Sequence, residues 1–459
     1  MNNHSATSLL ELYRCKELSP VEVIDQMLGD LASIDPQLNA FTHVDEALAR
    51  SEAKASEDRW LQGRPSGHLD GIPIPIKDLV DVSGMPTRHG SLSTDKNPVS
   101  TDAPCVARLR EAGAILFGKT TTPEFGWKGM TDSPLSGTTR NPHNITRTSG
   151  GSSGGAAACV ASGITALAHG NDGGGSIRIP ASYCGIYGIK PTFGRVPEYP
   201  RGGAYDSLAS EGPLCRTVRD AALFLNEVCA ADNRDWLSLP SDKMDYTANL
   251  NAGVKGLRIG VCISPGAVKA SDEIVKAVTA AAAEFEALGA HIDGVDNLFD
   301  PLQPIFERYW RGGLYARLAM VPSEQRTQLD TDFIRVASLG EDVSLAEFSE
   351  GVVARAELSA KMAAFHDQYD LLLCPSMPTD PPLVETHYHT AEFDRWQHAT
   401  PYTVPFNLTG QPAASIPCGV SSNNLPIGLQ IVGSRFSDAL VLRASAAYES
   451  IKPIRSVGN

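Results

Sequence analysis

Two glycine-rich turns of this chain present serine hydroxyl groups in a pattern suited to acyl-transfer chemistry. Residues 148–155 read Thr-Ser-Gly-Gly-Ser-Ser-Gly-Gly, and residues 171–178 read Asn-Asp-Gly-Gly-Gly-Ser-Ile-Arg. Glycine allows a substrate to approach main-chain N–H groups closely. A hydroxyl nucleophile beside N–H donors that can stabilise an oxyanion is the arrangement that acyl transfer requires.

The second turn offers the better nucleophile. Ser176 follows three glycines, so that several successive N–H groups can point into one hollow near its hydroxyl. Asp172 and Arg178 flank this serine, and an ion pair between them would hold the turn together. The spacing alone also permits a plain glycine-rich loop that binds an anion or a phosphate.

A lysine is the best candidate for the base. We expect His169, the histidine nearest the turns, to lie in the core, because it ends an apolar run. A lysine can replace histidine in serine hydrolases, but burial must first lower its high pKa. Lys77 directly follows the apolar segment 72–76. The alternative is a surface or salt-bridged Lys77, paired with Asp78 or Asp81.

The bulk composition describes a globular protein with no sign of nucleic-acid or membrane binding. The chain has 459 residues, of which 42% are hydrophobic, and a formal net charge of −14. That charge argues against a nucleic-acid or anionic-membrane partner. We find neither an export signal nor an apolar run of the ~18 residues that a membrane helix needs. The nine cysteines lack CxxC spacing, so we expect reduced side chains in a cytoplasmic protein.

The hydrophobic patterns that must position these turns favour one large α/β domain. Residues 7–31 and 103–112 are predicted to be helical, and 114–119 to form a buried strand. In the second half the predicted strands are 257–262, 290–292 and 369–374, with a helix at 271–288. The segment around 371–373 is apolar on both faces, as in a strand covered on both sides.

The two turns together resemble the signature of the amidase signature family of serine hydrolases. The similarity begins with residues 150–155 and 172–180, and only about 230–370 matches poorly. Five further stretches take part in it, at 71–78, 184–191, 211–214, 405–412 and 425–430.

The resemblance implies a fold, which is a single domain built on a twisted, mixed β-sheet with helices on both faces. We expect a helical part, the signature core, a variable region that forms part of the substrate pocket, and a part that completes the core sheet. Their expected bounds are 1–65, 66–230, 231–370 and 371–459.

The resemblance also implies a Ser–cisSer–Lys triad without metal or cofactor. By position Ser176 would be the nucleophile, Ser152 the bridging serine and Lys77 the general base. Ser152 would follow a cis peptide bond from Gly151, and Ser153 would support it with a hydrogen bond.

An oxyanion hole and two departures from the family pattern complete the expected site. The hole would be formed by the N–H groups of Gly173, Gly174, Gly175 and Ser176. Asn171 stands where the family usually has threonine, and Gly173 makes the turn unusually rich in glycine. Either departure could change the hydrogen bonding of the oxyanion loop.

Two other motifs are better explained without a ligand-binding role. Residues 113–120 match the phosphate-loop pattern G-x4-G-K-[ST], but the Ala-Ile-Leu-Phe inside it indicates a buried strand rather than an exposed loop. His387, His389 and His398 lack a partner at metal-ligand spacing, so we interpret them as solvated loop residues.

The competing function is that of the glutamine-hydrolysing component of an amidotransferase that works on aminoacyl-tRNA. Such relatives carry a Ser-Leu-Asp-Gln run, whereas residues 207–211 here read Ser-Leu-Ala-Ser-Glu. An acidic, stand-alone chain also suits tRNA work poorly. A non-catalytic binding protein on this scaffold is disfavoured because all three triad positions are filled.

The substrate is the least constrained part of the prediction. The resemblance places Gly126, Trp127 and Met130 beside the acyl pocket, where Trp127 and Met130 would form an apolar wall unless they belong to the core. We expect Tyr309 and Trp310 to pack against a neighbouring helix rather than to cap the pocket. No carboxylate-binding motif is evident. The sequence therefore favours a small lipophilic or aryl amide, with aryl carbamates or esters as side substrates, and permits a homodimer.

Overall fold

The computed structural model describes residues 4–201, 207–241, 244–266, 268–296, 298–299, 303–386, 401–454 and 457. The predicted loop histidines His387, His389 and His398 lie outside these residues. In the described part of the chain, no helix is long and apolar enough to cross a membrane.

The helices cover both halves of the chain. In chain order they are α1 (Ala6–Cys15), α2 (Pro20–Leu38), α3 (Glu46–Leu61), α4 (Pro104–Glu111), α5 (Gly154–Ala161), α6 (Arg178–Cys184), α7 (Val218–Val228), α8 (Asp272–Ala287), α9 (Gln303–Ala319), α10 (Thr331–Ser338), α11 (Leu345–His366), α12 (Val404–Leu408) and α13 (Asp438–Ile451).

The strands include several short pairs near the site and longer strands in one large sheet. In chain order they are β1 (Phe41–Val44), β2 (Ile76–Lys77), β3 (Gly118–Thr120), β4 (Asp132–Ser133), β5 (Gly137–Thr138), β6 (Arg140–Asn141), β7 (Asn144–Thr148), β8 (Leu167–Asp172), β9 (Tyr187–Lys190), β10 (Ser210–Cys215), β11 (Arg258–Val261), β12 (His291–Gly294), β13 (Leu371–Pro375), β14 (Ala413–Val420) and β15 (Pro426–Gly433).

Eight of these strands form a mixed sheet in the order β12-β11-β13-β15-β14-β9-β10-β8. β11 pairs in parallel with β12 and β13, and the remaining neighbours pair antiparallel. β14 and β15 come late in the chain, yet they lie in the middle of the sheet. The predicted single α/β domain with a mixed sheet is confirmed.

Strand β13 shows how both faces of the sheet are covered. Leu371 and Leu373 belong to a hydrophobic cluster with residues of α7, α8 and α13, whereas Leu372 belongs to a second cluster with residues of α9 and α11. Successive side chains of a strand point to opposite faces, so helices cover each side. The apolar run around Leu372 was correctly predicted to be a buried strand.

The candidate catalytic residues lie together where short elements meet β8, the edge strand of the large sheet. β2 belongs to a separate sheet of order β1-β3-β2, and it packs beside β8. The first serine turn runs directly into α5, and the second connects the end of β8 to α6. These junctions bring Lys77, at the end of β2, next to both turns.

The segment resembling a phosphate loop is part of the core. Ala114, Ile115, Leu116 and Phe117 are buried. The strand is shorter than the predicted 114–119, because regular pairing begins only at Gly118 and the preceding segment makes an isolated bridge between Ile115 and Pro73.

Candidate active site

Lys77 is the centre of the polar cluster. Its side chain is fully buried, and its Nζ lies 2.6 Å from Oγ of Ser152 and 3.0 Å from Oγ of Ser153. The side-chain oxygen Oδ1 of Asn171 is also 2.6 Å from Nζ. The structure therefore brings the three groups together from β2, from the first turn and from β8.

The environment of Lys77 disfavours a charged amine. Burial lowers the pKa of Lys77 well below its ordinary value, although the charges of Asp172 and Glu211 act in the opposite direction. The alternative partner Asp78 instead lies 3.5 Å from Nζ of Lys119. Across the described ranges Lys77 forms no ion pair with any carboxylate.

The hydrogen-bonding capacities of its neighbours define where the lone pair of a neutral Lys77 points. Oγ of Ser153 donates to the main-chain oxygen of Asn171 at 3.1 Å, so this hydroxyl accepts a hydrogen bond from Nζ. The Oδ1 atom of Asn171 can only accept. These two acceptors lie nearer to Nζ than the main-chain oxygen of Asn171, at 3.5 Å, and can use both N–H groups of a neutral amine. The lone pair is then left for Ser152, whose hydroxyl can donate to it.

The first turn has the predicted cis peptide bond between Gly151 and Ser152. Gly151 packs directly against the main chain of Met130, and a Cβ atom at this position would lie only 2.6 Å from the Met130 carbonyl carbon. The N–H group of Ser153 donates to the carbonyl oxygen of Ser176 at 3.1 Å. This bond joins the two serine turns to each other.

The second turn is held by the predicted ion pair. Arg178 donates from Nε and Nη2 to the two carboxylate oxygens of Asp172, at 2.9 and 2.8 Å. Its other contacts come from the last part of the chain, the carbonyl oxygen of Thr403 and the side chains of Asn407 and Gln430. Burial alone would raise the pKa of Asp172, but the adjacent Arg178 charge and hydrogen bonds lower it below its ordinary value.

Gly175, which was predicted to be part of the oxyanion hole, has a structural role in the turn instead. The N–H group of Gly175 donates to Oδ1 of Asp172 at 2.6 Å, so it is not available to an oxyanion. Its φ of +125° is one that glycine adopts readily, and a side chain here would collide with Thr403. The N–H groups of Gly173, Gly174 and Ser176 donate to no other group in the described part of the chain.

A cavity of about 330 Å³ opens over the turns. Ser152, Ser176, Asn171 and Gly173 line its polar side. The apolar lining comes from Leu79, Phe125, Pro200, Ala209, Trp310 and Met320. A small organic molecule could thus meet the candidate nucleophile and several apolar side chains at once.

The three residues predicted to line the pocket separate into two groups. Gly126 lines the cavity, and a Cβ atom on it would be 3.4 Å from Oγ of Ser152. Trp127 and Met130 do not line it, because both side chains are buried in the hydrophobic cluster that contains Phe125. The alternative that they are core residues is the one the structure supports.

The structure also revises the prediction for the two aromatic residues of α9. Tyr309 packs against Phe348 as expected, with ring centroids 5.0 Å apart. Trp310 lines the cavity, and its Nε1 donates to the main-chain oxygen of Trp127 at 3.1 Å. A Cβ atom at Gly173 would be 3.4 Å from the Trp310 ring, so a longer side chain would collide with it. The unusual glycine therefore leaves room for this indole.

Asn171 and Arg317 are two of the cavity residues that sequence reasoning missed. Asn171 was noticed only as a departure from the threonine of the family, without its contact to Lys77. Arg317 was not singled out, because it lies outside the stretches that carry the resemblance and its helix has two other arginines, Arg308 and Arg311. Arg317 follows Trp310 by seven residues, which is about two helical turns. This spacing could have placed Arg317 on the same face of α9 as Trp310.

His169 is a core residue, as predicted. It is fully buried, and Nε2 lies 3.2 Å from Glu211 Oε2 and 3.8 Å from Cys105 Sγ. Among the described residues, this is the group with the spacing to hold a metal ion, its ligand atoms lying within 4.8 Å of one another. None of the three lines the cavity, and His169 contacts both other side chains through its Nε2 atom.

The chain belongs to the amidase family, whose sequence model matches residues 22–442. It is therefore an amidase, and the similarity spans both turns, β2 and the late strands of the sheet.

Several known relatives match along almost the whole chain. An acylamidase of Rhodococcus erythropolis is 33% identical over 460 residues, covering 98% of this chain and 95% of that protein. A glutamyl-tRNA(Gln) amidotransferase subunit of Synechococcus sp. (strain CC9902) is 32% identical over 466 residues, covering 96% and 94%. The crystal structure of a bacterial aryl acylamidase of the amidase signature enzymes superimposes with a TM-score of 0.90 at 33% identity, covering 98% of this chain and 96% of that one.

Removing the arginine that holds the second turn should destabilise the protein strongly. In Arg178→Met the fully buried carboxylate of Asp172 loses its cation, and a stranded buried charge costs about 3–5 kcal/mol of unfolding free energy. Urea denaturation of the variant measures this loss.

The matched control is Arg14→Met, which breaks the exposed Arg14–Glu11 pair on α1 and should change the unfolding free energy little. Equal, small effects of the two substitutions would contradict the structural importance of the Asp172–Arg178 pair.

Proposed function

We propose that this amidase cleaves a carbon–nitrogen amide bond through an acyl-enzyme on Ser176, with Ser152 as proton relay and Lys77 as general base. The observation that carries the proposal is the 2.6 Å contact between Nζ of the fully buried Lys77 and Oγ of Ser152. A buried amine that lacks a carboxylate partner can be neutral near pH 7, and only the neutral amine can accept a proton.

The proton path follows from the donors and acceptors of the cluster. Ser176 attacks the substrate carbonyl while its proton passes to Ser152, and the Ser152 proton passes to the lone pair of Lys77. The proton returns along the same path to the leaving nitrogen. Water then attacks the acyl-enzyme with the relay acting again as base, and the carboxylic acid leaves.

The oxyanion would be bound by main-chain donors of the second turn. The N–H groups of Gly173, Gly174 and Ser176, which donate to no other described residue, are candidates, because that of Gly175 is bound to Asp172. Donors fixed before the reaction stabilise the developing charge without reorganisation. In this proposal the Asp172–Arg178 pair acts on catalysis only by fixing the shape of the turn.

Asn171 has a positioning role in this mechanism. Its Oδ1 atom accepts one N–H of Lys77 at 2.6 Å, and Ser153 accepts the other at 3.0 Å. Together they orient the amine so that its lone pair faces Ser152. The asparagine thus takes part in orienting the base, whereas the departure from threonine was expected to affect the oxyanion loop.

A lipophilic or aryl amide is the substrate class that the cavity supports, with aryl carbamates or esters as side substrates. Phe125 and Trp310 supply aromatic surface, and Met320 supplies a flexible apolar side chain. The similar acylamidase and aryl acylamidase point to the same chemistry. We further expect a small-molecule substrate and a cytoplasmic enzyme, either alone or as a homodimer.

The amidotransferase function remains the second candidate because the glutamyl-tRNA(Gln) amidotransferase relative is similar along 96% of the chain. Residues 207–211 lack the Ser-Leu-Asp-Gln run of such relatives. Glutamine hydrolysis that appears only when partner proteins are added would favour this function over the proposed one.

The nucleophile can be identified by covalent labelling. A fluorophosphonate should react with Ser176 alone, and peptide mapping of the labelled protein reads the position. Ser176→Ala should not be labelled, whereas Ser153→Ala keeps both serines of the relay and should carry its label on Ser176. A label on any other residue would refute the assignment.

Loss of the proposed base should abolish most of the activity without unfolding the protein. We expect Lys77→Ala to lower kcat for an anilide by roughly 10²–10⁴-fold or more, since general-base catalysis is lost. Because the neutral amine is the active form, wild-type kcat/KM should fall as the pH falls through the pKa of Lys77.

Circular dichroism of Lys77→Ala is the control for folding, and an anilide assay from pH 5 to pH 9 gives the profile. A folded variant that keeps most of its rate would rule out Lys77 as the base.

A further inference from the structure

Arg317 places a cation on the wall of the cavity that contains the candidate nucleophile. It lies on α9, is half-buried, and lines the cavity together with Ser176 and Phe125. Its guanidinium carbon is 4.7 Å from the centroid of the Phe125 ring. It forms neither a hydrogen bond nor an ion pair with its side chain in the part of the chain that the structure describes.

The N–H donors of the Arg317 guanidinium bind no acceptor among the described residues, although the group contacts the Phe125 ring. A guanidinium can stack on an aromatic ring through its face, and its five N–H donors lie in its plane. These donors match the two oxygens of a carboxylate, and the paired hydrogen bonds are stronger than those between neutral groups. Arg317 is thus preorganised by Phe125 yet has no acceptor of its own among the described residues.

The other cation on the cavity wall is already balanced. Nε of Arg201 is 2.7 Å from Asp235, and its Nη1 is 3.3 Å from Glu198. Asp81, an acidic lining residue, interacts electrostatically with the buried Lys119.

The lining histidine does not add a charge near Arg317. Burial, together with the charges of Arg317 and Lys119, lowers the pKa of His89 to about 3, so its ring is neutral at pH 7. A ligand entering this cavity therefore meets Arg317 as the cation that lacks an acidic partner among the described residues.

We propose that Arg317 is a specificity residue that binds a carboxylate on the substrate, so that the preferred amides carry an anionic group beside their apolar or aryl part. This inference names the substrate class of the amidase reaction proposed above and rests on that proposal. It also changes the expectation from sequence, in which no carboxylate-binding motif was evident. The motif is absent from the sequence because one arginine on a helix supplies the site.

Ligand binding to Ser176→Ala tests the inference separately from catalysis, because this variant keeps the cavity but lacks the candidate nucleophile. Three ligands are compared by calorimetry: neutral acetanilide, 4-acetamidobenzoate with its carboxylate on the amine side, and N-phenylsuccinamate with its carboxylate on the acyl side. We expect at least one carboxylate ligand to bind more tightly than acetanilide. Adding Arg317→Gln to Ser176→Ala should lower the affinity for that ligand by about 10- to 100-fold, the range for hydrogen bonds to charged groups.

Two further substitutions, each made in Ser176→Ala, exclude a general effect of charge or structure on binding. Arg317→Lys keeps the cation and should recover part of the affinity for the carboxylate ligand. Arg311→Gln removes a charge from the same helix, where Arg311 pairs with Glu307 outside the cavity, and should leave all three affinities unchanged. The affinity for acetanilide should be the same in Ser176→Ala with and without Arg317→Gln.

The inference is overturned if neither carboxylate ligand binds more tightly than acetanilide, or if Arg317→Gln leaves the tighter binding unchanged. Hydrolysis of the same three compounds by the wild-type enzyme tests the proposed amidase reaction independently of binding. Tight, Arg317-dependent binding without turnover of any of them would support the anion site and count against the proposed reaction.

Discussion

Desolvation of one lysine is the constraint on which the rest of the site depends. A lysine in water is protonated at neutral pH and cannot act as a base. Lys77 is fully buried, and its hydrogen-bond partners among the described residues are hydroxyl and amide oxygens rather than carboxylates. The acceptors come from different elements, so the two serine turns, β2 and β8 must pack tightly for the amine to lose its proton.

A second buried charge, the Asp172–Arg178 pair, fixes the turn that carries Ser176. Arg178 is satisfied by groups more than two hundred residues further along the chain, among them Asn407 and Gln430. Gln430 lies on β15, so this late strand in the middle of the sheet directly contacts the turn that carries Ser176. The turn that carries the candidate nucleophile therefore depends on contacts with residues near the end of the chain.

Local patterns in the sequence predicted most of the site, and contacts between distant segments account for the remainder. The glycines, the serines and Lys77 are visible as motifs, and the apolar strand at Leu372 follows from its composition. That Asn171 reaches the lysine, and that Asp172 takes the N–H of Gly175, depend on how β8 packs and how the turn closes. Trp310 and Arg317 lie outside the sequence stretches that carry the resemblance, and helical periodicity alone does not say which face of α9 meets the cavity.

The protonation state of Lys77 is the most direct test of this account. NMR spectra of protein labelled with ¹³C at lysine Cε, titrated with pH, report each amine, and the Lys77 signal is assigned by its absence from Lys77→Met. The account predicts a signal that is neutral near pH 7 and titrates well below the ordinary lysine pKa of ~10.4. A Lys77 that remains charged up to about pH 10 would contradict it.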